Sequence, residues 1–472
     1  MIHLHKSIRL VLVLICIAGS TQAAQFHQAI DRLMASYMEQ DLFSGVVLVG
    51  EGDEVLYEKA FGQANKDFNV NNTVETKFNI ASIGKTFTAV AIMQIVEQGK
   101  ISLEDSIIKF LPDFPFEQVP EIRHLLSHTG GLGNYMRHPE FEAKKNTLRS
   151  LESLLPMIYD EPLQFEPGSQ FRYSNSGYIL LGLVIEKITG MKYTDYIQEN
   201  ILTPAGMANT GWYFPEEVVP NRATGYIKGI DGEFVNNSQV NLPAFSDGGT
   251  LTTAGDLFRY HVALSNDALL SKPSREQMFT PFLSDGNYGL GWMVDSLSGE
   301  LMLGHTGGAP GINAEFYRFP EAHNSVIIVL SNYSHASPGV GRRISALLFD
   351  KPYDMPKPKL GEFLYSQIQT HGISHVTENF QQILKESGYT IQDDRDLNIM
   401  GYQLLAGNEA ENTIAIFRLN AELYPEMANT YDSLGEAYLA AGDTVNAVKN
   451  YRKSLELNPD NLNARQVLQK IQ

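Results

Sequence analysis

Thr86 to Gln98 is apolar almost all the way round: Phe87, Val90, Ile92, Met93, Ile95 and Val96 leave no polar face, which predicts a buried helix rather than a surface one. The turn that opens it, Ser82-Ile83-Gly84-Lys85, is therefore held on a rigid mount. Ile122 to Ser127 reads as a second helical run, stopped by His128-Thr129-Gly130-Gly131. Leu301-Met302-Leu303-Gly304 is a short apolar run of strand type, followed by His305 and two more glycines. Residues 351–360 form a proline-rich, charged stretch that sustains neither helix nor central strand and reads as a linker. From 361 to 472 the pattern is wholly helical. Set against itself at an offset of 34 residues, this tail pairs Gly401 with Gly435, Phe417 with Tyr451 and Pro425 with Pro459, giving repeats at 394–427 and 428–461.

The 472 residues, 43% of them hydrophobic, suffice for one sizeable core and a smaller unit, so two domains are expected. A formal charge of -18 repels phosphate backbones and anionic lipid, which argues against a nucleic acid or membrane surface as partner. Lys6 and Arg9 precede the apolar run Leu10 to Ala18, too short to span a bilayer, and Thr21-Gln22-Ala23 offers small residues for cleavage. Residues 1–23 thus read as a signal peptide, addressing the mature chain to the periplasm or the medium without a stable membrane anchor. The single cysteine, Cys16, lies within it, so the mature chain is expected to have no disulfide, no cysteine-ligated zinc and no cysteine nucleophile.

Two motifs occur twice, and context separates the copies. A second Ser-x-x-Lys, Ser106 to Lys109, sits in a short polar segment closed by Pro112 and reads as a surface connection. His128-Thr129-Gly130 follows a helix, His305-Thr306-Gly307 a strand; Tyr173-Ser174-Asn175 is unique. A lysine three residues after a serine lies one helical turn on and on the same face, so Lys85 approaches the Ser82 hydroxyl. Burial makes an ammonium easier to deprotonate, and a neutral Lys85 would be a general base for a Ser82 nucleophile. Tyr173 offers a phenol to relay the proton to the leaving group; Asn175 offers an amide to hold Lys85 and a substrate carbonyl. A backbone N–H after His305, that of Gly308, would face the Ser82 N–H as an oxyanion hole. His124 and His128 stand at the i, i+4 spacing of zinc ligands, but no glutamate follows His124 as a zincin would require; no metal and no cofactor is expected. Asp256 is read as a helix-start residue. No Gly-x-Ser-x-Gly occurs, which argues against a nucleophile elbow.

These residues closely resemble the serine β-lactamase and penicillin-binding-protein superfamily, above all the branch holding class C β-lactamases, D-Ala-D-Ala carboxypeptidases, D-aminopeptidases and related esterases. The resemblance covers roughly Gln25 to Asp350 and includes the 45–62 hairpin, the stretch Ile122 to Leu132, and Gly289-Leu290-Gly291-Trp292. It implies that Ser82 is the nucleophile, Lys85 the base, Tyr173 the proton relay, Asn175 a contact to substrate and lysine, and His305, Thr306, Gly307 and Gly308 a substrate-lining edge strand. It also implies that His124 and His128 are structural. Class C β-lactamases usually carry lysine where this chain has His305; histidine there is closer to the carboxypeptidase and D-peptidase members.

The expected fold over 25–350 is α+β: an antiparallel sheet from the 45–62 hairpin and strands near 301–304, 314–319 and 325–330, flanked by helices, with a largely helical insertion between Ser102 and Asp247. Ser82 should lie where helices meet sheet. In the tail, Tyr431 to Tyr438 with Ala447, Tyr451 and Pro459 resembles a tetratricopeptide repeat, in which small Gly435 and Ala447 let helices approach. Phe363 to Glu386 is expected to add a helix pair as a cap. The tail would then offer a surface to a protein partner, or brace the first domain. Three functions stay open: a Ser82 acyl-enzyme hydrolase of β-lactam, D-amino-acid peptide or ester substrates; an esterase or D-peptidase with negligible β-lactamase activity; and a non-catalytic binding relative acting through its repeats.

Overall fold

The structure is a computed structural model describing residues 24–214, 216–237, 244–284, 286–334 and 337–471; the expected signal peptide lies outside them. The chain divides into two units, one over residues up to 227 and 236–356, the other over 228–235 and 357 onwards.

The first unit is built on helix α1 (24–39) and a six-stranded antiparallel sheet. Its strands are β1 (Gly45–Glu51), β2 (Glu54–Phe61), β3 (Met293–Leu297), β4 (Glu300–Ala309), β5 (Ile312–Phe319) and β6 (Ser325–Ser331), in the order β2-β1-β6-β5-β4-β3. Period-two alternation sends Val46 and Leu48 of β1, Ala314 and Phe316 of β5, and Val326, Ile328 and Leu330 of β6 into one core. Val47, Val49, Tyr317, Phe319, Ile327 and Val329 enter a second core on the opposite face, under α1. The larger core packs α2 (Lys85–Glu97), α3 (Asn175–Thr189) and α4 (Ala254–Ser265). The smaller is closed by Val340 and Ile344 of α5 (Ser337–Leu348). Burial on both faces explains why the strands read as continuous apolar runs.

Between Ser102 and Asp247 the chain is less helical than expected. Beside α3 it holds only short helices such as Ile122–Leu126, Leu155–Tyr159 and Tyr193–Ile197, plus a two-stranded ladder of Tyr226–Lys228 and Phe234–Asn236. The prolines do keep 351–359 free of helix and strand, yet the start of this stretch is pinned rather than loose. Arg343 Nη2 lies 2.7 Å from Asp354 Oδ2, and Gln40 donates to the Pro356 carbonyl at 3.1 Å.

The second unit is all helical apart from 228–235. Its helices are α6 (Leu360–His371), α7 (Ile373–Glu378), α8 (Phe380–Ser387), α9 (Arg395–Ala406), α10 (Ala410–Leu423), α11 (Ala428–Ala440), α12 (Thr444–Leu457) and α13 (Leu462–Ile471). The expected cap arrives as three helices because the run breaks at Gly372 and again at Asn379. Gly401 faces the Phe417 ring and Gly435 the Tyr451 ring, so the 34-residue offset corresponds to the same glycine-on-aromatic contact made twice. Lys228 pairs with Glu362 at 3.2 Å, and Ile230 packs on the cluster around Leu364 and Met400. This excursion, placed by sequence within the first domain, belongs to the helical unit.

Candidate active site

Ser82 lies in a 3₁₀ turn, Ala81–Gly84, that runs directly into α2. Ala81 has φ 43°, a left-handed value uncommon for a residue with a side chain. It is held there from both sides: Asn79 Oδ1 accepts its N–H at 2.8 Å, and its carbonyl accepts the Gly249 N–H at 3.2 Å. The turn after Phe245 wraps the nucleophile closely. A Cβ on Gly248 would fall 2.4 Å from the Ala81 carbonyl oxygen.

Lys85 is fully buried at the first position of α2. Its Nζ lies 3.1 Å from Ser82 Oγ and 2.5 Å from the backbone oxygen of Asp247. The Tyr173 and Tyr178 rings stand 5.0 and 5.5 Å from the same nitrogen, giving it two π-faces in place of a carboxylate. Asp247 itself is buried, with the Tyr135 hydroxyl donating to Oδ2 at 2.9 Å. Burial raises its pKa above the ordinary aspartate range, against the opposing pull of Lys85 and Tyr135.

Ser174 caps α3 by accepting the Gly177 N–H, which leaves Tyr173 just outside the helix, facing the site. Asn175, in the first turn of α3, is brought into the region but not onto the lysine. Its Nδ2 donates to Asn134 Oδ1 and to Met136 Sδ, each at 3.4 Å, and its buried Oδ1 has no protein partner. The expected contact to Lys85 is made instead by the Asp247 carbonyl.

β4 is longer than its apolar run. Pairing with β5 extends through Ala309, whereas pairing with β3 stops at Gly304, so among the described residues no strand covers the outer side of His305 to Ala309. Gly307 lies against the nucleophile turn, where a Cβ would come 2.0 Å from the Ile80 oxygen; Gly308 faces open space. Ser82, Phe171, Tyr173, Asn287, Tyr288, Met293, His305, Thr306 and Gly308 line one cavity of about 330 Å³. Ser106 is elsewhere: Lys109 pairs with Asp105 at 3.0 Å on the surface.

His305 lines this cavity, and His128 of the other copy lies behind it against Tyr288 and Tyr173. His128 ends the helix Ile122–Leu126 in the left-handed conformation (φ 59°), with Thr129 N–H on the His124 oxygen, a Schellman stop built on histidine where glycine is usual. Its Nε2 lies 3.2 Å from the Tyr288 hydroxyl, and His305 Nε2 lies 2.9 Å from the same hydroxyl. Burial, reinforced by the charge of Lys85, pushes the His305 pKa down to about 3 and that of His128 well below the usual imidazole range. Sequence reasoning missed Asp247, Tyr288 and the ring of His128. For His128 a signal existed, since the tetrapeptide His-Thr-Gly-Gly occurs at both 128 and 305.

A serine and a buried lysine at the head of one helix, facing the open flank of an antiparallel sheet, define a serine hydrolase. The Beta-lactamase family model matches residues 28–350, and the chain belongs to that family. It is similar to penicillin-binding protein 4* of Bacillus subtilis (strain 168), with 34% identity over 341 residues, 68% of this chain and 75% of that one. Among solved structures, a penicillin binding protein from Bacillus halodurans is 32% identical with a TM-score of 0.62, covering 67% of this chain and 98% of that one. D-amino acid amidase from Ochrobactrum anthropi SV3 shares the fold at 22% identity and TM-score 0.61, covering 68% of this chain and 98% of its own.

Proposed function

We propose that the protein is an exported serine hydrolase that forms an acyl-enzyme at Ser82 and takes amide and ester substrates whose leaving group carries no carboxylate. The observation that carries the reaction type is Lys85 Nζ at 3.1 Å from Ser82 Oγ with its second hydrogen-bond partner, the Asp247 carbonyl, fixing its direction. In the proposed reaction Lys85 Nζ, once it has given up its own ammonium proton, accepts the Ser82 proton as Oγ attacks the substrate carbonyl carbon. The oxyanion is received by the backbone N–H groups of Ser82 and Gly308. The proton passes to the leaving group by way of Tyr173, the scissile bond breaks, and water then releases the acyl group by the reverse route.

The substrate class rests on the cavity wall. None of its nine lining residues carries a formal charge, and His305 holds no proton to spare at neutral pH. A β-lactam or a peptide with a free C-terminal carboxylate therefore finds no cation beyond the buried Lys85. This favours an esterase or an amidase of D-amino-acid amides over a carboxypeptidase or an efficient β-lactamase. The helical unit is read as tetratricopeptide repeats with a possible protein partner, on the strength of its two glycine-on-aromatic pairs. Export rests on the leader sequence; no helix of the described residues is long and apolar enough to cross a membrane.

The test is intact mass of the full chain, wild type and Ser82→Ala, after brief exposure to a short p-nitrophenyl ester, a D-amino-acid amide, a D-Ala-D-Ala peptide and a penicillin. Turnover or a Ser82-dependent adduct with the first two supports the reading. Preference for the last two would replace it, and no reaction with any would leave a binding protein.

A further inference from the structure

The hydrogen bonds joining the two histidines have one consistent proton assignment. The Ser174 backbone N–H donates to His128 Nδ1 at 3.2 Å, so that nitrogen carries no proton and Nε2 must. His128 Nε2–H therefore donates to the Tyr288 oxygen. Tyr288 O–H then donates to His305 Nε2. At the far end His305 Nδ1 lies 2.6 Å from the Thr306 carbonyl, which can only accept, so the proton of His305 is on Nδ1. Both ends of the chain are fixed by backbone groups of opposite kind, and its direction is thereby determined twice. A second proton on His305 would point Nε2–H at an oxygen already accepting from His128 and would turn the Tyr288 O–H away to its remaining neighbour, the Tyr178 hydroxyl.

His128 also grips the segment that bears Tyr173 at three successive residues. Its carbonyl accepts the Arg172 N–H at 2.9 Å, its ring lies 4.1 Å from the Tyr173 ring, and its Nδ1 accepts the Ser174 N–H. The left-handed backbone at His128, a conformation uncommon for a residue with a side chain, ends the helix where its carbonyl and ring meet this segment.

We propose that His128 and Tyr288 are positioning residues of the acyl-transfer site: their directed chain from the Ser174 N–H to the Thr306 carbonyl seats Tyr173 and locks His305 as a neutral Nδ1–H imidazole, excluding substrates that need a cation there. The proposal rests on the hydrolase reading for its catalytic consequence, though not for the lock itself. The groups that face the two rings are Lys85 of α2, Tyr178 of α3, Tyr173 and Tyr288; among the described residues no carboxylate hydrogen-bonds either imidazole. Lys85 opposes a second proton on both.

Two measurements test it on the full chain. Long-range proton–nitrogen spectra of histidine-labelled protein, assigned with His128→Asn and His305→Gln, should show His128 as the Nε2–H tautomer and His305 as the Nδ1–H tautomer, neither titrating between pH 5.5 and 7.5. A His305 cation in that range, or its Nε2–H tautomer, overturns the lock. Asn is chosen at 128 because it tolerates the left-handed conformation and keeps the helix stop. Second, Tyr288→Phe removes the hydroxyl shared by the two rings while burial and Lys85 still oppose a His305 cation. The Nε2 signals of both histidines should shift, and kcat on the neutral p-nitrophenyl ester should fall by roughly tenfold with KM little changed. Unchanged nitrogen signals and unchanged kcat in folded Tyr288→Phe overturn the positioning role. If Tyr288→Phe does not fold, the wild-type tautomers decide. A wild type that acylates nothing refutes the hydrolase reading and leaves the spectra to judge the lock.

Discussion

Lys85 Nζ rests 2.5 Å from the main-chain oxygen of Asp247, a residue 162 positions further along the chain. The lysine is thus directed by backbone, not by a side chain that mutation would remove. Asp247→Asn should accordingly keep activity within about tenfold, because the carbonyl stays and an amide oxygen still accepts from Tyr135. Tyr135→Phe should be the more damaging change, destabilising by about 1–3 kcal/mol as a buried carboxyl loses its donor. Urea titration of both variants beside an ester assay distinguishes the two effects.

Replacing the base itself tests the chemistry. Lys85→Met keeps the stem in the core and removes the amine, so kcat should fall by about 10²–10⁴ with the fold retained. Stopped-flow acylation with an activated ester reads the loss directly.

Gly307 is where β4 passes the nucleophile turn. A Cβ there would overlap the Ile80 oxygen at 2.0 Å, so Gly307→Ala must push strand and turn apart. The expected result is a stability cost of about 1–3 kcal/mol together with an activity loss of about a hundredfold, since small displacements of a nucleophile are amplified in rate. Gly308→Ala, which meets nothing within 4 Å, serves as the control for the stability cost only.

Glu315 of β5 is buried beneath α5, accepting from the Tyr317 hydroxyl and the Gly341 N–H, and burial pushes its pKa up to about 8. A folded-state pKa above the unfolded value of about 4.5 means the native state holds the proton longer. This contribution to stability is complete below pH 4.5 and is lost as pH rises through 8. Relative to Glu315→Gln, wild type should therefore lose up to about 1.4 kcal/mol per pH unit across that window. Denaturant midpoints from pH 5 to 8 check the slope.

In the helical unit the two repeats should differ in tolerance. A Cβ on Gly401 would come 2.2 Å from the Phe417 ring, on Gly435 only 3.2 Å from that of Tyr451. Gly401→Ala should cost about 1–3 kcal/mol by overpacking and Gly435→Ala distinctly less. Thermal melts of the full chain followed by far-ultraviolet circular dichroism compare them.

Much of the fold was legible because the apolar positions carry it. The α2 helix was expected over 86–98 and runs Lys85–Glu97; the expected strands 314–319 and 325–330 lie within Ile312–Phe319 and Ser325–Ser331. Where the pattern was polar, periodicity alone was silent. His305 to Ala309 has no alternation of its own; only the family resemblance gave the edge strand at 305–308, and it forms because β5 supplies a partner. Residues 228–235 carry no sign that they belong with the helices. Asn175 was given the lysine contact because a side-chain amide is visible in sequence, whereas the backbone carbonyl that makes it is common to every residue.

The sequence by itself determined that Ser82 and Lys85 share the head of a buried helix, since helical spacing and an all-apolar face are local properties. It also determined the helical tail and its 34-residue offset. Only the tertiary structure decided what surrounds that pair. The two His-Thr-Gly-Gly copies looked like competitors, one to be kept and one set aside, and folding instead brings both imidazoles to the single hydroxyl of Tyr288. The physical reason is that hydrogen bonds between residues 160 and 17 positions apart depend on how strands and turns pack, and side-chain type alone does not encode which distant partner will be met.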